Sequence, residues 1–136
     1  MKKQNIIFAS LFILFGVLIA IAPFTFAKVC EVGEKVMKCH WTALAELFLG
    51  IEIAVLGAAK FILACRNYQI GLAIAEAVNG LGVILFPTVL IGVCKMKTMH
   101  CVSVAKPFLI VAGIVVLAVA VAQIALIVKS KIAEKK

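Results

Sequence analysis

Apolar residues in this chain come in long runs instead of alternating with polar ones. Four runs, at about 6–26, 42–65, 70–91 and 107–128, are dominated by aliphatic, aromatic and small residues, and polar residues collect between them. Each run has roughly the 20 residues that a helix needs to cross a bilayer at about 1.5 Å per residue. The pattern predicts an all-α fold, a polytopic four-helix bundle forming a single transmembrane domain over residues 1–136. Links at 27–41 and 92–106 would lie on one side of the membrane, and Arg66-Asn67-Tyr68-Gln69 would make a tight turn on the other. Lys2 and Lys3 followed by an apolar run ending Thr25-Phe26-Ala27 have the order of a secretory signal. The run is long for a signal and reads as the first membrane helix.

The two halves are alike. Ala9, Gly16, Pro23 and Cys30 are spaced by seven, and Ala73, Gly80, Pro87 and Cys94 repeat the order and spacing 64 residues on. Val29 and Val93 precede the two cysteines, and Met37-Lys38-Cys39 is echoed by Met99-His100-Cys101. The pattern predicts two tandem helical hairpins, a parallel repeat about an axis along the membrane normal. Both links would then share one face of the membrane. Small residues supply packing seams: Gly50, Ala54 and Gly57, Gly16-x-x-x-Ala20, and Ala118-x-x-x-Ala122. Pro107 suits a first helical turn, where a missing N–H costs nothing, and Trp41 and Tyr68 suit the two interfaces.

Composition places the chain in lipid. Hydrophobic residues make up 65% and mean hydropathy is +1.23, far beyond a soluble domain. Charge then sets the orientation. With the N-terminus inside, Lys2, Lys3, Lys60, Arg66, Lys129, Lys131, Lys135 and Lys136 fall on the cytoplasmic side; Lys28, Lys35, Lys38, Lys95, Lys97 and Lys106 fall outside. This bias predicts a multi-pass plasma-membrane protein with both termini cytoplasmic. Lys60, near the inner end of the second helix, is expected to snorkel to that side. The net charge of +8 points to anionic lipid; no basic patch interleaved with aromatics suggests nucleic acid.

Candidate chemistry sits in the two links. Leaving Met1 aside, nine of the ten cysteine, histidine and methionine residues lie there: Cys30, Met37, Cys39, His40, Cys94, Met96, Met99, His100 and Cys101. Cys65 alone falls elsewhere, as a reduced cytoplasmic thiol. Three readings compete. The first is structural: disulfides staple the outer loops, with three pairings open to four cysteines. The second is a metal or haem site: thiolate and thioether suit copper(I), cysteine with histidine suits zinc, and histidine or methionine can be axial haem ligands. The third is thiol–disulfide exchange linked to quinone. Its support is topological, because the layout is similar to that of bacterial membrane oxidoreductases that pass electrons from a periplasmic thiol oxidase to quinone. Neither link has the Cys-x-x-Cys pair of those enzymes. The second reading explains why the histidines and methionines join the cysteines. It gives a metal- or haem-handling accessory protein with no catalytic residues.

The Met-Lys-Cys-His-Trp-Thr-Ala stretch at 37–43, with Gly-Val-Cys at 92–94 and Met-His-Cys at 99–101, resembles an uncharacterised family of small bacterial four-helix membrane proteins. The resemblance spans nearly the whole chain. It implies at most an accessory role beside an ABC exporter and brings no catalytic residues. Four helices alone enclose no wide lumen, so transport would need such a partner or a homo-oligomer.

Polar residues inside the membrane are the remaining candidates. Glu52 and Glu76 fall at similar depth near the midplane, with Asn79 one turn from Glu76. They are expected to point into the bundle, to share a proton or receive a cation, or to hydrogen-bond across helices with at least one glutamate protonated. Glu46, one turn into the predicted second helix, is expected at the outer interface. No glycine-rich phosphate loop, nucleophile elbow or His-Glu-x-x-His motif suggests a soluble-type enzyme.

Overall fold

The computed structural model describes residues 2–25, 38–92, 95 and 101–136. They form four helices: α1 (Lys2–Ile21), α2 (Lys38–Ile62), α3 (Arg66–Leu85) and α4 (Lys106–Lys135). A 3-10 turn, Ala22–Phe24, ends α1; a π turn, Phe86–Leu90, extends α3; a second π turn, Cys101–Ala105, leads into α4. No strand occurs among the described residues. Four stretches are long and apolar enough to cross a membrane: Lys3–Phe24, His40–Ile62, Arg66–Leu90 and Val102–Lys135. Their outer faces stay apolar, with Phe48, Val55, Val78 and Val111 at least 60% exposed, as a lipid-facing surface requires. The chain is a multi-pass helical membrane protein.

Several element ends differ from the expected ones. α2 begins at Lys38, ahead of Thr42, and helical structure resumes at Cys101, ahead of Pro107. Cys39, His40 and Cys101 therefore belong to helix starts, because backbone N–H and C=O groups near lipid are best satisfied within a helix. Arg66-Asn67-Tyr68-Gln69 is the first turn of α3, and the chain reverses at 63–65 instead. The reason is Gln69. Its side-chain amide donates to the carbonyls of Lys60 (3.1 Å) and Leu63 (2.6 Å), satisfying oxygens that the end of α2 leaves without helical partners.

Close backbone approach forms two hairpins. α1 packs chiefly on α2 and α3 on α4, with lighter contact between the pairs. A Cβ on Gly16 would fall 2.6 Å from the Ala54 nitrogen, and one on Gly50 would fall 2.5 Å from the Ala20 nitrogen. In the second hairpin a Cβ on Gly113 would fall 2.8 Å from the Gly80 oxygen. Small residues thus let backbones meet in both pairs, as membrane helices without a strong hydrophobic drive require. The first two expected seams are in place. The third is not: Ala118 and Ala122 are exposed, and α4 packs through Ala112, Gly113, Val116 and Ala120. The Gly113–Gly80 contact sets the rotation of α4 and turns the other alanines to lipid.

Each hairpin's first helix breaks at a buried proline, Pro23 or Pro87, seven residues after its interface glycine, Gly16 or Gly80. Proline has no N–H to continue an α-helical ladder. Between the breaks and the termini lies the apolar core of Phe12, Ile19, Leu49, Ile53, Val83, Leu109 and Val116.

Candidate functional site

The link residues are described only in part. Cys30, Met37, Cys94, Met96, Met99 and His100 lie outside the described residues, and Cys39 and Cys101 are described through their backbone alone. His40 is half-buried and meets Trp41 edge to face, with ring centroids 6.4 Å apart. Cys39 and His40 open α2, and Cys101 opens the π turn before α4. Both starts lie at the end of the bundle away from the chain termini. The Thr42 hydroxyl donates to the Gly92 carbonyl at 2.8 Å there, and Ala22 packs near Ala105. No group of three or more His, Cys, Asp or Glu among the described residues is placed to hold a metal ion.

The polar centre that the structure does display is inside the bundle. On α2 the buried positions are 42, 43, 46, 49, 50, 53, 57 and 60, one stripe that recurs every three to four residues and doubles at 42–43 and 49–50. Lys60 closes this stripe and is 2% exposed, so it does not snorkel. Side chains on a helix lean toward its N-terminus. α2 runs toward the end that holds the termini, so Lys60 leans back into the bundle. Its ammonium pairs with Glu76 Oε2 of α3, donates to Gln123 Oε1 of α4 at 2.5 Å, and sits 4.0 Å from the ring centre of Phe12 of α1. All four helices meet at this group. Gln123 in turn donates weakly to Gln69 Oε1 at 3.4 Å, which links the centre to the cap on α2.

The expected Glu52, Glu76 and Asn79 cluster is thereby rearranged. Glu76 and Asn79 are buried, but Glu52 is half-buried and makes no hydrogen bond or ion pair with the described residues. It stands one residue off the core-facing stripe, about 100° away around the helix. Lys60 takes the place beside Glu76 that Glu52 was expected to fill.

A cavity of about 400 Å³ opens beside this centre at the termini end, lined by Asn5, Lys60, Phe61, Arg66, Gln69 and Ile127 among others. Arg66 bonds Glu134 of the α4 tail at 2.5 Å. Cys65, between α2 and α3, is an exposed free thiol at the same end.

The second intramembrane carboxyl is Glu46. It is fully buried within the bundle, and because α2 starts early it stands two turns into that helix and not one. Neither of its oxygens has a hydrogen-bond partner among the described residues. Lys60, Gln69 and Gln123 were not marked as site residues from sequence, although a signal existed. Positions 46, 50, 53, 57 and 60 keep the glycine seam's register, as do 109, 113, 116, 120 and 123.

No curated protein and no solved structure matches the chain. Residues 12–126, which include every buried polar group above, match a family described only as a domain of unknown function (DUF4418), and the chain belongs to that family.

Proposed function

We propose that the protein is an accessory membrane protein that handles a soft metal ion or haem at the end remote from its termini. The ligands would come from Cys30, Cys39, His40, Cys94, His100 and Cys101, with Met37, Met96 and Met99 as further soft donors. The observation that carries this reading is the position of the two helix starts: Cys39 and His40 on α2, and Cys101 before α4, stand at one end of the bundle. Ligands from both links can therefore converge on one ion. A metal bound this way needs at least two thiolates, at roughly 2.3 Å for zinc.

The hairpins are read as copies, which is why both links serve one site. Their buried positions support this: Ala9, Phe12, Gly16, Ile19 and Pro23 on the first α1 segment recur as Ala73, Glu76, Gly80, Val83 and Pro87. Both termini are placed in the cytoplasm, supported by the lysine distribution.

The test is native mass spectrometry of the purified protein before and after thiol alkylation. Bound metal or haem lost in Cys39→Ser or His40→Ala supports the proposal. Four oxidised cysteines and no metal or haem leave only stapled loops, and quinone-dependent reoxidation of reduced cysteines moves the protein to the thiol oxidoreductases. An impermeant thiol reagent that labels Cys65 strongly in intact cells reverses the orientation.

A further inference from the structure

Glu46 presents a problem that packing does not solve. Its carboxyl is fully buried in a membrane helix, and both oxygens lack partners among the described residues. A polar group in that position costs several kcal/mol when nothing answers it. Leu109 sits in the matching place in the second hairpin, four residues before Gly113 as Glu46 is four before Gly50, and is also buried. An apolar side chain therefore fills this kind of position without difficulty.

Three contacts fix what Glu46 faces. Thr42, one turn before it, donates to the Gly92 carbonyl. Leu49, three residues after it, lies 3.4 Å from where a Cβ on Gly82 would sit. Glu46 is between them on the same face, so it looks at the segment between Gly82 and Gly92, which holds the π turn Phe86–Leu90. Gly50, one turn further, meets Ala20, which brings the 3-10 turn Ala22–Phe24 to the level of Glu46. Both neighbours are the carbonyl ends of helices, broken at Pro23 and Pro87.

Helix C-termini present unsatisfied carbonyl oxygens and the negative end of the backbone dipole. Broken helices in membranes are tolerated where they line a site, and their carbonyls coordinate small cations there. Here two such ends reach the level of a buried carboxyl. The Ile21, Ala22 and Phe86 carbonyls already accept bonds from Thr25, Ile91 and Gly92, whereas those of Pro23, Phe24, Pro87, Thr88, Val89 and Leu90 accept none from the described residues. The donors are all oxygen, which suits a hard ion. Glu46 brings one negative charge, so a monovalent cation leaves the site neutral, whereas a divalent one leaves a net charge in a low-dielectric interior.

We propose that Glu46, with the carbonyl ends of α1 and α3, forms a binding site for a monovalent alkali cation. The site is separate from the soft-ligand residues of the links and does not depend on them. It belongs to the first hairpin and has no twin, because Leu109 closes the matching position.

The test uses the full chain in nanodiscs, with sodium, potassium or choline chloride at matched ionic strength. Sodium or potassium should raise the melting temperature by several degrees over choline, and labelled sodium or rubidium should bind at one site per chain. Glu46→Gln should abolish both effects, and Glu76→Gln should leave them. Glu46→Asp keeps the charge but shortens the reach, and should weaken binding at least several-fold. It also decides the matter if Glu46→Gln does not fold. No difference between the salts in the wild type, binding that survives Glu46→Gln, or unchanged affinity in Glu46→Asp each overturns the proposal.

Discussion

The bundle holds two buried glutamates, and they are treated in opposite ways. Glu76, toward the termini, meets an ammonium that also reaches Gln123 and the ring of Phe12. Glu46, toward the far end, meets nothing among the described residues that hydrogen-bonds to it. Both lie on core-facing stripes and both are fully buried. The difference lies in the neighbouring helices. At Glu76 the stripes of α2 and α4 supply Lys60 and Gln123, whereas no described side chain of the neighbouring helices hydrogen-bonds Glu46. A buried carboxylate with an internal partner locks four helices together. One without an internal partner among the described residues is where the proposed cation would sit.

The largest expected effect comes from breaking the paired centre. Lys60→Met leaves Glu76 buried without its cation and should cost about 3–5 kcal/mol of bundle stability. The double variant Lys60→Met with Glu76→Leu should recover most of that loss, because a buried ion pair is readily replaced by apolar packing of similar volume. Reversible unfolding in detergent mixtures measures both. A double variant no better than the single one would show that the centre does more than pair charge.

Next comes Glu46→Leu, which copies the residue at the matching position. In choline salt it should stabilise the bundle by about 1–3 kcal/mol, since no partner among the described residues is lost and the cost of burying an unanswered carboxyl is removed. Glu76→Leu alone, which strands Lys60, should cost about 3–5 kcal/mol in the same assay. Equal losses for the two leucine variants would erase the contrast between the glutamates.

Smaller effects sharpen the two ends. Thr42→Val removes the hydroxyl bond to Gly92 that ties α2 to the end of the α3 extension, and should cost about 0.6–1.5 kcal/mol by thermal unfolding. Arg66→Gln removes a pair with the exposed Glu134 carboxylate and should change stability by less than about 1 kcal/mol, with a difference that shrinks as salt rises.

Much of the architecture was legible in the sequence. The four apolar runs set the number of helices, since about 20 residues of continuous apolar chain have no other use in a protein of this size. Gly16, Ala20, Gly50, Ala54 and Gly57 announced the first helix–helix seam, because only small side chains let membrane backbones touch. The same spacing would have marked Lys60 and Gln123 as core-facing. Lys60 was assigned instead to the interface by depth along the helix, which neglects the direction in which helical side chains lean.

The sequence by itself therefore determined the lipid environment, the helix count and the small-residue faces available for packing, because each follows from local composition and a 3.6-residue period. Only the tertiary structure decided which faces were used. Two small-residue patterns competed on α4, and contact with Gly80 selected Gly113 over Ala118. It also decided which side chain of α2 meets Glu76: Lys60 and not Glu52, through the rotation and offset of α2 against α3. That Glu46 has no partner among the described residues follows in the same way, from which side chains of the neighbouring helices arrive at its level.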